Sequence, residues 1–442
     1  MPFGWFKRPE TDSSTSSRIP AGNVGRSFVG NTFSFHDNAQ AVVLDALRSD
    51  PSAQIIRARV LNRDIGLVID HDLARTVLSK GSTSGECPRF SHRAAYKQLI
   101  AAFFAEPNIL LEDEDEPDRQ THRDQWERHM DEFTANVDLE AMLGGILRHH
   151  RQRWSQGEPF DLYTACKDLS HELVFKIFLG IETADAEIYG PAVEATNTSL
   201  RGQFSLPVTL GGYVQTTYSR GLRAQADFQD IVSDRVDSGE CPFLHNSKEL
   251  PEASVVTHVS TFASSLVIKA LASYLCFVTI QRTRYDGPNL PLLLETERLC
   301  PPIIGVLRQV LDGAWQATPT LHVPENWDTW LYFPMINRDT RVYGEDAREF
   351  KPSRWESSPS PPEPLTLGQG SKRCLGQGLV RRLVGLVLDE MKDVQVDIVS
   401  DLDASVKDYL GWEDDGMHKW QGIKQLPVQR PKVPVMVRCS ER

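Results

Sequence analysis

The chain of 442 residues contains no Cys-x-x-Cys pair. Its cysteines, Cys87, Cys166, Cys241, Cys276, Cys300, Cys374 and Cys439, are odd in number and widely spaced. That pattern excludes a disulfide framework and a clustered zinc site, and it points to a reducing, cytoplasmic setting. The N-terminus has no long apolar core; MPFGWFKRPETDSSTSSRIP reads as a loose Ser/Thr/Pro tail over residues 1–18, with no signal peptide. An excess of positive charge is absent too. The net charge of −12 argues against nucleic acid as a partner and gives no support for an anionic membrane surface. No internal repeat and no linker-like shift in composition interrupts the middle, so residues 19–442 are expected to form one domain.

What the chain does have is one long apolar run, ASVVTHVSTFASSLVIKALASYLCFVTI, over Ala253–Ile280. It is long enough to span a bilayer. It also carries His258, Lys269 and many Ser/Thr, and it lacks an aromatic belt. A single helix buried in a large soluble domain is therefore expected, with no transmembrane anchor. Further helices are expected over His92–Ala105, Thr121–Leu147, Asp161–Gly180, twice within Ala192–Val236, and over LLLETERL. SFVGNTFSF and AQIIRARVLNRDIGLVID read as loop and strands, as do the Pro-punctuated text from Ile303 to Met335 and the C-terminal KQLPVQRPKVPVMVRC. LEDEDEPD between two helices reads as a solvated acidic loop. The fold class that follows is mainly α (α+β), with strands gathered towards the two ends.

The stretch LGQGSKRCLGQGL places Cys374 among four glycines and beside Lys372 and Arg373. A GxGxxG fingerprint would need glycine where Arg373 stands, and a GxxxxGK phosphate loop is absent. A cysteine nucleophile would need a histidine partner that nothing nearby supplies. Three readings stay open: a nucleophile partnered by one of the twelve histidines elsewhere in the chain, a buried structural thiol, or a thiolate presented to a flat anionic cofactor. Free backbone N–H groups and the positive end of a following helix would favour the thiolate. Glycines would let a planar group approach the backbone.

LGQGSKRCLG resembles the haem-binding loop of cytochromes P450, Phe-Gly-x-Gly-x-Arg-x-Cys-x-Gly, matching at Gly368, Gly370, Cys374 and Gly376. Leu367 replaces the usual Phe, and Lys372 replaces Arg, keeping the charge without the bidentate fork. Two further motifs occur in the family's order: Glu295 and Arg298 in an ExxR pattern before Pro301–Pro302, and FKPSRW, which carries Arg354. The resemblance implies haem b held by the Cys374 thiolate, and a buried triad of Glu295, Arg298 and Arg354. It implies propionate partners at Lys372, Arg308 and His122, the last within EPDRQTHRDQWERHMDEFT, where Trp126 stands in a place that often holds Arg.

The long apolar helix falls where the family carries an acid–alcohol pair that passes protons to bound oxygen. Here Ala263-Ser264-Ser265-Leu266-Val267 puts Leu266 and Val267 at those two positions. Ser264 and Ser265 are the candidates to supply the proton path instead. The resemblance then implies a haem-thiolate monooxygenase of a small, largely apolar molecule, of a secondary-metabolic kind. Because the chain shows no reductase segment, an external reductase or ferredoxin is expected as electron donor, with Lys372, Arg373, Arg381 and Arg382 as a basic docking surface or simply a solvated face. Phe204, Leu206 and Val208 are expected to line the substrate site. The alternatives are a redox-neutral haem-thiolate isomerase or dehydratase, a peroxide-using enzyme, and a non-catalytic haem-binding sensor.

Overall fold

In the computed structural model the described residues are 17–442, without 26–29, 61, 81–87, 98–99, 114, 210–214, 246, 248–249 and 414–419. Most of the expected tail, and Cys87, lie outside them. The first part of the chain comprises α1 (Thr32–Ser49), β1 (Ile55–Val60), β2 (Arg63–Val68), α2 (His71–Lys80), β3 (Arg89–Ser91) and α3 (His92–Lys97). A helical middle follows: α4 (Arg119–Asn136), α5 (Leu139–Trp154), the short β4 (Phe160–Asp161), α6 (Leu162–Leu179), α7 (Ala186–Gln203), α8 (Thr217–Asp237), α9 (Glu252–Phe262), α10 (Ser265–Arg282) and α11 (Asn289–Leu299). Strands β5 (Gly305–Leu311), β6 (Trp315–Thr318), β7 (Leu321–Val323) and β8 (Asp328–Tyr332) come next, then short α12 (Phe333–Ile336) and α13 (Thr340–Tyr343). The chain ends with α14 (Gln377–Glu390), β9 (Val394–Ile398), α15 (Ala404–Leu410), β10 (Ile423–Lys424), β11 (Arg430–Pro431) and β12 (Met436–Glu441).

The largest sheet has the order β1-β2-β8-β5-β3. Its β2–β8 pair is parallel and its other pairs are antiparallel. The sequence-distant strands β2 and β8 thus share one sheet, so the N-terminal part and residues 305–332 form a single platform beside the helices. The mainly α architecture with small sheets agrees with the expected fold class.

Local chemistry explains several differences from the sequence reading. Phe33 and Phe35, expected in loop or strand, belong to α1, which buries Phe35, Ala39, Val43 and Leu44 along one face. The stretch expected as one helix over Thr121–Leu147 is two, because the Asp138 side chain accepts the Ala141 N–H (2.9 Å) and starts α5. Helix α6 does end where glycine was expected to stop it: Gly180 has φ +63°, and a Cβ there would lie 2.1 Å from the Glu240 carbonyl oxygen.

The acidic loop is not solvated as expected. Asp113 is buried and accepts bonds from the Ser91 hydroxyl (2.5 Å) and the His92 (2.7 Å) and Arg93 (2.9 Å) N–H groups, capping α3. Glu116 pairs with Arg93 at 2.6 Å. Glu112 meets His122 and Asp115 meets Arg89, so much of the run is a clasp, while Pro117 and Asp118 at its end stay exposed.

The long apolar run is two helices, α9 and α10, separated at Ala263–Ser264, where Ser264 is extended (φ −70°, ψ 154°). Serine and threonine compete for backbone bonds, and THVSTFASS concentrates five of them at the joint. Among the described residues α10 is the one helix long and apolar enough to cross a membrane, and 67% of it is buried within the protein. It packs on α6 and α11, with Phe277, Cys276 and Ile280 fully buried.

Glu295, Arg298 and Arg354 meet in the interior. Arg298 binds Glu295 in a fork (Nε–Oε2 2.9 Å, Nη2–Oε1 2.7 Å), and Arg354 Nε donates to Oε1 at 3.0 Å. Removing one partner from such a pair strands a buried charge. Arg354→Ala is expected to cost about 3–5 kcal/mol, seen as a lowered urea midpoint at unchanged slope.

Candidate active site

Cys374 lies between a single 3₁₀ turn, Gly370–Lys372, and the start of α14. Its N–H donates to the Leu367 carbonyl (2.8 Å), closing the loop. Gly368 (φ +75°) makes the turn possible, since a Cβ there would come within 2.9 Å of the Lys372 carbonyl oxygen. The cysteine keeps accessible area, unlike the other cysteines among the described residues. Burial is still the largest influence on the thiol and pushes its pKa up. The Gly376 N–H, Arg123 and Arg373 pull in the opposite direction. The sequence reading expected a lowered pKa from the helix terminus; desolvation outweighs it.

A cavity of about 640 Å³ lies between this loop, α10, β5 and the start of α1. Its walls are mostly apolar, with Tyr96, Phe104, Leu110, Leu266, Ile304 and Leu426 among them. Near the cysteine loop they turn basic, with His92, Arg308 and Lys372. His92 is held neutral, its pKa far below normal, first by burial and then by Arg308, Lys372 and Arg119. Arg119, on the first turn of α4, is 1% exposed and donates through Nη2 to the Ser371 carbonyl at 2.8 Å. Its Nε and Nη1 find no hydrogen-bond partner among the described residues. One turn along, Arg123 donates to the Arg373 carbonyl at 2.8 Å. The loop is thus gripped from α4 by two arginines.

Arg308 and Lys372 were expected at this rim, and they are there. His122 is not. Its ring meets Glu112 (Nδ1–Oε1 3.3 Å) and the Ser254 hydroxyl (3.1 Å), on a face of α4 turned towards α9. The i,i+4 pair that faces the cysteine loop is Arg119 and Arg123, three residues earlier than the pair read as His122 and Trp126. Both spacings occur in RQTHRDQW, and only burial distinguishes them. Trp126 is fully buried and stacks on His258 at 4.4 Å.

Neither Ser264 nor Ser265 belongs to the cavity lining; Leu266 does. Ser265 is buried and donates to Asn197 Oδ1 at 3.3 Å, because it lies about 100° around α10 from Leu266. Asp328 on β8 is the one carboxylate among the described lining residues. It pairs with Arg63 at 2.6 Å, yet burial prevails and raises its pKa to about 7. Of the expected substrate contacts, Phe204 and Leu206 line the cavity, while Val208 does not and is exposed. The expected basic docking surface is largely neutralised: Arg373 pairs with Glu127, and Arg381 with Glu297 and Glu363.

These features define a class: a mainly helical protein that presents a cysteine beside an apolar cavity with a cationic rim. The chain is similar in fold to a retinoic-acid-bound cyanobacterial CYP120A1 (TM-score 0.71, 16% identity, covering 96% of this chain and 99% of that one). It is also similar to the haem domain of cytochrome P450DA (TM-score 0.75, 14% identity, 96% and 98%). In sequence it resembles the taxane 13-alpha-hydroxylase of Taxus cuspidata, 22% identical over 287 residues, 53% of this chain and 58% of that enzyme. It resembles the beta-amyrin 28-monooxygenase of Saponaria officinalis at 18% identity, with 84% of each chain covered. No family model matches. The chain thus has the cytochrome P450 fold, and in sequence it resembles named cytochrome P450 monooxygenases.

The residues fit the family's cofactor. Haem needs an apolar slot, cations for its two propionates and an axial ligand. The cavity, the rim of His92, Arg308 and Lys372, the buried unpartnered nitrogens of Arg119 and the Cys374 thiol answer those needs in turn. If Arg119 holds a propionate, Arg119→Leu removes a charge-assisted bond of about 1.5–3 kcal/mol and weakens haem retention roughly ten- to hundredfold in transfer to apomyoglobin. His122→Gln should leave retention unchanged.

Burial also lowers the pKa of His258 to about 4, so the folded protein keeps it neutral where the unfolded chain takes up a proton. Stability from this group is complete above about pH 6.5 and is lost as pH falls towards 4. His258→Phe should flatten the fall in unfolding free energy across that window by about 3 kcal/mol.

Proposed function

We propose that the protein is a haem-thiolate monooxygenase that oxidises an apolar small molecule. The observation that carries this reading is the apolar cavity of about 640 Å³ that meets a cationic rim at the Cys374 loop. That one void would take the haem beside the loop and the substrate against its apolar wall. Bound there, haem would supply oxygen binding and activation, with the Cys374 thiolate as its axial ligand. The protein's part is positional. Arg119, Arg123, Arg308 and Lys372 fix the loop and the rim. Tyr96, Phe104, Leu110 and Leu266 present an apolar wall that orients the substrate and excludes water. An external electron donor, a secondary-metabolic substrate and a soluble, cytoplasmic setting belong to this same proposal.

A second reading is redox-neutral isomerisation or dehydration, favoured by Leu266, which faces the cavity where a proton-delivering acid would be of use. Carbon monoxide added to the reduced protein should give the thiolate-type Soret shift, and Cys374→Ala should abolish it. Turnover that consumes neither oxygen nor reductant would exclude the monooxygenase and leave the second reading.

A further inference from the structure

A second cleft, of about 550 Å³, lies behind the large cavity, between α6, α7, α10 and the segment leading into β11. Its charged lining is one-sided. Lys167, Arg201, Lys269, Lys424 and Arg430 surround it, with Asp161 as the only carboxylate among the described lining residues. Asp161 does not neutralise them. One of its oxygens accepts the Thr164 hydroxyl at 2.5 Å, and the other has no partner among the described residues. No ion pair within 4.0 Å joins any of the five cations to a carboxylate among the described residues. Asp37, nearby, pairs with Lys432 instead (3.0 Å).

Lys269 is the most telling of the five. It stands on α10, an otherwise apolar helix that carries no other charge until Arg282. Burial first, and then Lys167, Arg201, Arg430 and Lys424, lower its pKa to about 8. A leucine or methionine there would avoid both the desolvation and the repulsion. Nothing in the packing requires a cation at this position. A set of like charges kept together at such a cost is the mark of a site that binds the opposite charge. The whole chain carries −12, so this local field is not a by-product of overall composition.

The cleft is recessed and of small-molecule size. His36, Phe204 and Pro427 line both it and the large apolar cavity, so the two voids share a wall. We infer that the cleft binds the phosphate or diphosphate group of an organic ligand whose apolar part enters the neighbouring cavity. The second half of that inference rests on the reading of the large cavity as the substrate chamber. Five cations suit a multiply charged oxyanion better than a single carboxylate. A free phosphate ion and a phosphate headgroup share this chemistry, and the test separates them.

The haem-loaded protein is titrated calorimetrically, at matched ionic strength, with inorganic diphosphate, dodecyl phosphate and dodecanol. Diphosphate is expected to bind, and dodecyl phosphate to bind at least tenfold more tightly than dodecanol. Lys269→Met and, separately, Arg430→Gln should weaken diphosphate at least tenfold and close the gap between the two amphiphiles. Each variant should keep its unfolding midpoint and carbon monoxide spectrum, so that a lost gap reports the cleft and not the fold. Diphosphate heats no larger than those of chloride would overturn the site. Equal affinities for the two amphiphiles, or a gap unmoved by both substitutions, would overturn the link to the cavity. A protein that binds diphosphate but shows no thiolate spectrum would refute the monooxygenase reading and leave the anion site standing.

Discussion

The carboxylate of Glu295 accepts five hydrogen bonds, and the placement of the cysteine loop depends on them. Its donors are Arg298 Nε (2.9 Å) and Nη2 (2.7 Å), Arg354 Nε (3.0 Å), the Lys351 N–H (2.8 Å) and Trp355 Nε1 (3.0 Å). A carboxylate with no exposed surface can stay ionised only when its lone pairs are so fully used. Arg298 carries the constraint onward to the Asn337 carbonyl (2.9 Å). The Asn337 side chain donates to the Thr366 hydroxyl (2.8 Å) and accepts the Leu365 N–H (3.2 Å). Thr366 in turn donates to the Glu297 carbonyl (2.6 Å), back on the helix of Glu295. Leu367, next along, receives the Cys374 N–H. A continuous hydrogen-bonded path thus runs from the buried ion pair to the backbone of the cysteine.

That path explains what could be read from the residues and what could not. ETER, FKPSRW and the glycine-flanked cysteine have fixed spacing because each fills a fixed seat in one network, and fixed spacing is what a single sequence displays. The rim on the α4 side has no such fixed text. RQTHRDQW offers an i,i+4 pair beginning at Arg119 and another at His122. Which pair faces the cysteine loop depends on how α4 rotates against α9, where Trp126 stacks on His258. That rotation is a tertiary outcome, with no local sign. The acidic loop failed for a related reason. LEDEDEPD has the composition of a solvated run, and only the arrival of α3 and its N-terminal N–H groups turns Asp113 into a cap. His92 gave no sign either, since its place at the rim comes from the pairing of β3 with β5.

The chain is acidic overall, yet it gathers cations in two interior places. At the rim, Arg119, Arg308 and Lys372 are strong enough together to help keep His92 neutral. In the neighbouring loop Arg123 and Arg373 favour a thiolate, against the burial that keeps the free thiol protonated. A metal ion settles that contest, because a coordinating thiol is deprotonated outright. In the second cleft the cations face one another, with no metal-binding thiol to justify them, and Lys269 bears the repulsion from inside a core helix.

The joint at Ala263–Ser264 bears on the chemistry in the same physical way. An unbroken helix would carry one continuous face past the cavity, and a single phase would decide which residues look into it. The break resets that phase, sending Ser265 to Asn197 and Leu266 to the cavity. The central helix therefore offers the cavity an apolar contact, and the cavity's titratable acid sits on a strand, at Asp328. Burial raises the pKa of that carboxyl against the pull of Arg63, its ion-pair partner at 2.6 Å. The apolar contact and the carboxylate that line this cavity thus come from different elements, Leu266 from the helix and Asp328 from the sheet.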